Sequence, residues 1–387
     1  MRVALSAATC FTPQRRIDDP LLLIEDGSIV FVCPRREAEL PAGTRTLDFP
    51  GVVLAPGYVD LHVHGGAGYD VMGADRDKLA EFERHLARHG TTSYLPTTVT
   101  APVEDTCAAL GRLADAIEEA ECAPRSEVRA QAVGIYLEGP FLSYEKRGVH
   151  PAEHLQAPSA ALFERFRQAA RGHIKVITIA PELPGACELI REARRRGVCV
   201  ALGHSNADYA SARAGIAAGA RHATHTFNAM RAIDHRDPGI AVAVLTEGAV
   251  SAEIIADGVH VAPAMVDLFL KAKGADSAVL VTDAISAAGM GDGRYRLGTF
   301  EVEVRGDTCR SAEGKLAGSV LTLDRAVRNL MDFARCELQE AVRLATLGPA
   351  RVAGIDQRKG VLAPGADADI VVLSPEGKVI RTFIGGN

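Results

Sequence analysis

Between residues 51 and 354, short apolar runs alternate with stretches of helical period, and several runs close on residues that bind metals or move protons. VDLHVH ends at His64, YLEG carries Glu138, VCVALGH ends at His204, and AVLVTDA carries Asp283. The intervening ADRDKLAEFERHLARHG and ALFERFRQAARG repeat apolar residues every three to four positions, which predicts helices with one buried face. Strands that alternate with such helices form βα units and a parallel sheet. Eight candidate strands end near His64, Thr97, Glu138, Pro181, His204, His225, Asp257 and Asp283. Eight such units predict an α/β chain folded as a (β/α)8 TIM-like barrel, with one catalytic mouth at the carboxyl ends of its strands.

The two ends of the chain read differently. Residues 1–50 are short β-runs broken by the turn signals EDGS, CPRR and PAGT, and the same texture returns in GVLAPGADADIVVLSPEGKVIRTFIGG. The expected organisation is therefore a small β-sandwich domain built from residues 1–50 and 355–387, with the catalytic barrel at 51–354 between its halves.

Composition narrows the partners. A net charge of −6 with 5% aromatic residues offers neither a basic stripe nor a stacking platform for nucleic acid. No apolar run approaches the roughly 18 residues that span a bilayer. Eight cysteines without a CxxC pair fit reduced thiols in the cytoplasm. The apolar start before LLLIEDGSIVFV reads as a β-hairpin and not as an export signal. Arg194–Arg196, ahead of Gly197, reads as a solvated helix end.

His62 and His64 stand two apart in an extended run, so both rings face the same side. The GGAG that follows lets backbone pass close to a site. His204 closes another strand. His222 and His225 differ by an odd step and face opposite ways in extended chain, and His225, nearer the carboxyl end, is the one expected at the mouth. Together with Glu138 and Asp283 these residues predict a metal centre. Asp283 also suits helix N-capping, but at a strand end it is placed to shuttle a proton between an acidified water and a leaving group. His85 and His89 read as the cationic end of a helix. His173 and Lys175 precede their strand and so belong at the opposite rim.

Ligands on the first, third, fifth, sixth and eighth strands, with a split β-domain, resemble the amidohydrolase superfamily. Within it, PGYVDLHVHG, YLEGPFLSYEKRGVHP, LGHSNA, THTFNAM, IIADGVHV, LVTDAISAAGM and KLAGSVLTLDRAVRN resemble the deacetylases of N-acetylglucosamine 6-phosphate. The resemblance implies hydrolysis of that amide to glucosamine 6-phosphate and acetate in a cytoplasmic homodimer. It implies that Glu138, His204 and His225 hold the principal ion, that Asp283 is the acid and base, and that His150 polarises the carbonyl or contacts the sugar. Asn228, the Ala229 backbone and His260 would meet the phosphosugar, with Arg236 reaching across a dimer interface and the backbone of Leu316, Ala317 and Gly318 completing the pocket. Because His62 and His64 are both retained, a second ion bridged by Glu138 is expected. Imidazole and carboxylate donors suit Zn2+ or Fe2+. The competing readings are the N-acetylgalactosamine 6-phosphate epimer, an N-acyl amino acid or cyclic amide as substrate, and a non-catalytic scaffold that has kept the fold.

Overall fold

A computed structural model describes residues 2–122, 127–298 and 300–387. Eight parallel strands form the barrel: β1 (Tyr58–Val63), β2 (Thr91–Thr98), β3 (Ile135–Leu137), β4 (Ile174–Ile179), β5 (Cys199–Leu202), β6 (His222–Ala223), β7 (Ala252–Ile254) and β8 (Ala278–Leu280). They are nearly all buried, as expected of strands covered by helices outside and packed side chains within. Ladders join β1 to β2 and run on through β6, and another joins β7 to β8. The two remaining seams are closed by isolated bonds: Ser251 N–H donates to Arg221 O (3.0 Å) and Thr226 N–H to Glu253 O (2.9 Å) on one side, and Asp283 N–H donates to His62 O (2.8 Å) and His64 N–H to Ala284 O (2.8 Å) on the other. Closure thus seats Asp283 beside the first-strand histidines.

The helices are α1 (Arg76–Arg88), α2 (Val103–Cys122), α3 (Ala160–Ala169), α4 (Ala186–Arg195), α5 (Tyr209–Ala218), α6 (Gly239–Thr246), α7 (Pro263–Lys273), α8 (Leu323–Ala334), α9 (Leu338–Leu344) and α10 (Leu347–Ala353). Asp75, Ser159 and Asp208 cap three of them by accepting from backbone N–H groups in the first turn. The arginine run falls at the end of α4, where Arg195 and Arg196 pair with Glu192.

Both chain ends enter one seven-stranded sheet, the small β-sandwich domain. Arg2–Phe11 lies parallel to Arg45–Pro56, which pairs in turn with Ile370–Leu373. The end-sheet strand continues to Pro56, beyond the expected boundary at residue 50, because Val53–Pro56 pair with Ile370–Leu373 before the chain enters the barrel at Tyr58. Leu5, Leu22, Leu54, Ile370 and Phe383 form a core separate from that of the barrel. The sequence reading did not anticipate a three-stranded sheet, Gly293–Leu297, Phe300–Arg305 and Thr308–Ser311, inserted between β8 and α8. Its Leu297, Val302, Val304 and Cys309 pack on Val99 and Ile285 from the loops after β2 and β8, setting the insert at the barrel mouth. None of the described helices is long and apolar enough to cross a membrane. The eight cysteines are free thiols.

Candidate metal centre

Six side chains from five strand ends converge at the carboxyl rim. Glu138 follows β3 and divides its two oxygens between two histidine pairs. Its Oε1 lies 3.0 Å from His204 Nε2 and 3.1 Å from His225 Nε2. Its Oε2 lies 3.3 Å from His64 Nε2 and 3.5 Å from His62 Nε2. Within each pair the Nε2 atoms are close: 3.0 Å for His204 and His225, 3.2 Å for His62 and His64. Donors bound at roughly 2.0 Å to one tetrahedral ion stand about 3.3 Å apart, so each triad has the spacing of one ion's donors. Two buried triads, His62–His64–Glu138 and Glu138–His204–His225, share the carboxylate.

The outer nitrogens reveal which tautomers the fold imposes. Thr97 O lies 3.0 Å from His64 Nδ1, and Lys146 O lies 2.9 Å from His204 Nδ1. A carbonyl only accepts, so both Nδ1 atoms carry the proton and leave Nε2 a lone pair for a cation. The Glu253 carboxylate does the same for His62 Nδ1 at 3.0 Å. His150 is reversed. The Thr100 backbone N–H donates to its Nδ1 at 3.2 Å, with Thr100 Oγ1 2.8 Å away, so Nε2 carries the proton. That N–H stands 3.5 Å from Glu138 Oε2. One type of side chain thus supplies electron pairs at His62, His64 and His204 and a proton at His150. His225 Nδ1 has no partner, so its tautomer is free.

Burial and mutual attraction set the charges of these groups against one another. Burial pushes Glu138 upward, but the His62 and His204 imidazoles outweigh it and hold the carboxyl well below its ordinary range. Burial likewise opposes charge on His64, yet hydrogen bonding to Asp283 and Glu138 lifts it to about 9. His204 is pushed down to about 4, because burial there outweighs the attraction of Glu138. Asp283 Oδ1 is 3.2 Å from His64 Nε2, and despite burial this contact and the His62 and His64 charges lower its pKa. His204, His225, Ala229 and Asp283 all have positive φ, the kind of backbone strain that gathers at functional sites. Gly139 also needs its φ of +83°, and a Cβ there would meet Thr100 Oγ1 at 2.1 Å, in the group that orients His150.

A cavity of about 230 Å3 opens above the donors, lined by Glu138, His150, Asn228, Ala229, His260 and Asp283, among others. Leu316 and Gly318 also line it. Ala317 and Arg236 are not among its lining residues. Ala317 is fully buried in the insert's core, and Arg236 is exposed and outside the cavity of its own chain. His62 lies beneath the floor. His89 pairs with Asp324, and His173 with Glu118 at the opposite rim.

The sequence reading also passed over Glu253. It is fully buried and accepts from His62 Nδ1, from His222 Nε2 (2.9 Å) and from the His225 backbone N–H (2.9 Å). Its signal was available: one charge inside the apolar run AEIIA, with no partner nearby in sequence.

Comparison with known proteins agrees with this geometry. Residues 53–387 match the Amidohydrolase family. The chain is 39% identical to the N-acetylgalactosamine-6-phosphate deacetylase of Escherichia coli O157:H7, over 100% of this chain and 99% of that protein. It is 36% identical to the N-acetylglucosamine-6-phosphate deacetylase of Bacillus subtilis (strain 168), over 94% and 91%. The structure superposes with a TM-score of 0.92 on a Mycobacterium smegmatis N-acetyl-D-glucosamine-6-phosphate deacetylase mutant in complex with N-acetyl-D-glucosamine-6-phosphate, at 34% identity and covering 100% and 98% of the two chains. With a barrel whose strand ends converge on a shared carboxylate, a sheet made of both termini and relatives matched along their whole length, this chain belongs to the amidohydrolase family.

Proposed function

We propose that this chain hydrolyses the acetamide of an N-acetylhexosamine 6-phosphate, with N-acetylglucosamine 6-phosphate giving glucosamine 6-phosphate and acetate. The observation that carries the reading is the shared carboxylate: Glu138 gives one oxygen to each histidine pair while Asp283 stands beside one of them. His62, His64, His204, His225 and Glu138 would hold one or two divalent ions, Zn2+ or Fe2+ by donor chemistry. When bound, such an ion polarises an amide carbonyl and acidifies water to a pKa of roughly 7.

Asp283 is ionised at neutral pH and accepts a proton from the attacking water. It then delivers that proton to the amine nitrogen as the C–N bond breaks, so one carboxylate serves both halves of the reaction. His150 presents Nε2–H toward the cavity and donates to the carbonyl oxygen as charge gathers there. The phosphate is remote from the scissile bond, and its contacts orient the amide. Asn228, the Ala229 backbone and His260 are assigned to that end of the substrate. Arg236, exposed on a loop with Ile233, is assigned to the phosphate of a second copy's site, which makes the active form a homodimer.

A second reading changes only the epimer: the whole-length match at 39% identity is to an enzyme named for N-acetylgalactosamine 6-phosphate. Metal-replete protein is mixed with both epimers and with unphosphorylated N-acetylglucosamine, and acetate and free amine are measured together. Equimolar release confined to the phosphorylated sugars supports the reading and ranks the epimers. No release from any of them, with metal bound, rejects it.

A further inference from the structure

The cavity has one lining residue with no role so far. Lys315 is the only lysine or arginine among its described lining residues, since Arg236 lies outside. It sits in the tight turn that ends the inserted sheet. The turn is pinned by Ser311 N–H to Lys315 O (2.8 Å), Gly314 N–H to Ser311 O (2.8 Å) and Ala317 N–H to Cys309 O (3.2 Å), so the backbone beneath the ammonium is set by the fold.

The loops after β6, β7 and β8 are neighbours around the rim and bring Asn228 and Ala229, then His260, then Lys315 to one cavity. In barrels of this kind the loops after the seventh and eighth strands are a frequent phosphate site. His260 is already oriented: the buried Asp257 carboxylate lies 2.6 Å from its Nδ1 and also accepts the Val259 and His260 backbone N–H groups, both at 2.8 Å. Lys315 is held more loosely. Its ion partner is Glu313, 2.9 Å away on the same turn, and the two side chains are 49% and 73% exposed. Such an exposed pair is held weakly, less firmly than a charge-assisted contact to a phosphate dianion.

We propose that Lys315 is the same-chain cation that recognises the substrate's phosphate, leaving Glu313 when the substrate enters. The inference rests on the phosphosugar reading above and assigns part of the selectivity for phosphorylated substrates to the insert, in addition to any contribution from a second copy's Arg236.

The test compares wild type, Lys315→Met, Lys315→Arg and Arg236→Ala as metal-loaded protein on phosphorylated and unphosphorylated N-acetylglucosamine. Metal content and Tm are measured alongside; the site is an exposed turn, and both are expected unchanged. Lys315→Met should raise KM for the phosphorylated sugar roughly tenfold with kcat little changed, leave the unphosphorylated sugar within about twofold, and flatten the dependence of KM on salt. Lys315→Arg should restore most of the loss. As a second measurement, calorimetric affinity for glucosamine 6-phosphate should fall in Lys315→Met while affinity for glucosamine does not. If wild type hydrolyses the phosphorylated sugar and Lys315→Met matches it in KM and product affinity, the assignment is wrong while the deacetylase reading stands. Equal losses on both sugars would make Lys315 a structural residue and also overturn it. If wild type hydrolyses neither this phosphorylated sugar nor, in the assay above, its galacto epimer, both readings fall together.

Discussion

Replacing Glu253 by Gln isolates the part played by a buried charge that touches no substrate. Glu253 Oε2 accepts from His62 Nδ1 and from the His225 backbone, and Oε1 faces His222 Nε2. A glutamine can keep this pattern. Its carbonyl takes the Oε2 position and its NH2 faces His222, which moves its proton to Nδ1 and gives it to Ser251 Oγ, 2.7 Å away. What disappears is the negative charge that makes His62 a better electron donor. Losing a carboxylate behind a ligating histidine typically weakens metal affinity 10- to 100-fold, about 1.4–2.7 kcal/mol. Glu253→Ala is a different perturbation, because it leaves three buried donors unpaired. At about 1–3 kcal/mol each the cost is ~3–9 kcal/mol, comparable with the whole stability of a domain. Glu253→Gln should therefore fold with a near-normal Tm and lose affinity at the His62–His64 triad, while Glu253→Ala should accumulate poorly or melt far lower. Competitive chelator titration read by elemental analysis measures the first effect, and thermal unfolding the second. If Glu253→Gln binds metal within about twofold of wild type at both triads, the carboxylate is structural alone and the argument fails.

Asp283→Asn should retain metal and product binding but lose about 10²–10⁴ in kcat, because the amide cannot carry the proton from water to amine; near-normal turnover in a steady-state assay would remove Asp283 from that role. Metal loading should compete with protons. His64, held up to about 9, keeps its proton at neutral pH, so its extra stabilisation of the metal-free fold is complete below about 6.5 and lost as pH rises to about 9. Over that interval the Tm of metal-free protein should fall and apparent metal affinity should rise, and calorimetry in buffers of different ionisation enthalpy should record proton release at pH 7 that diminishes as pH rises past 9. A loading isotherm independent of pH would contradict this.

Much of the architecture was legible because it rests on local patterns. Buried parallel strands must be apolar, outer helices must be amphipathic, and the eight alternations carry both periods. Period-2 geometry put His62 and His64 on one side and separated His222 from His225. In the structure His225 meets Glu138 and His222 turns to Glu253. The inserted sheet was passed over although Phe300–Arg305 alternates exposed and buried residues as a half-buried strand does; what the sequence does not give is its place at the mouth, which rests on packing against Val99 and Ile285.

The sequence by itself determined which residue types arrive at the strand ends, since these follow from patterns a few residues long. Tertiary structure alone decided how they act together. Barrel closure placed Asp283, 219 positions beyond His64, within 3.2 Å of it, and set the two oxygens of Glu138 toward different pairs. Tertiary contacts also chose the tautomers: a carbonyl behind His64 and His204 makes each an electron-pair donor, and the Thr100 amide behind His150 makes it a proton donor. The same fold kept Arg236 out of its own cavity and brought Lys315 to the wall. Such outcomes depend on distances between elements remote in the chain, which no periodicity in the sequence encodes.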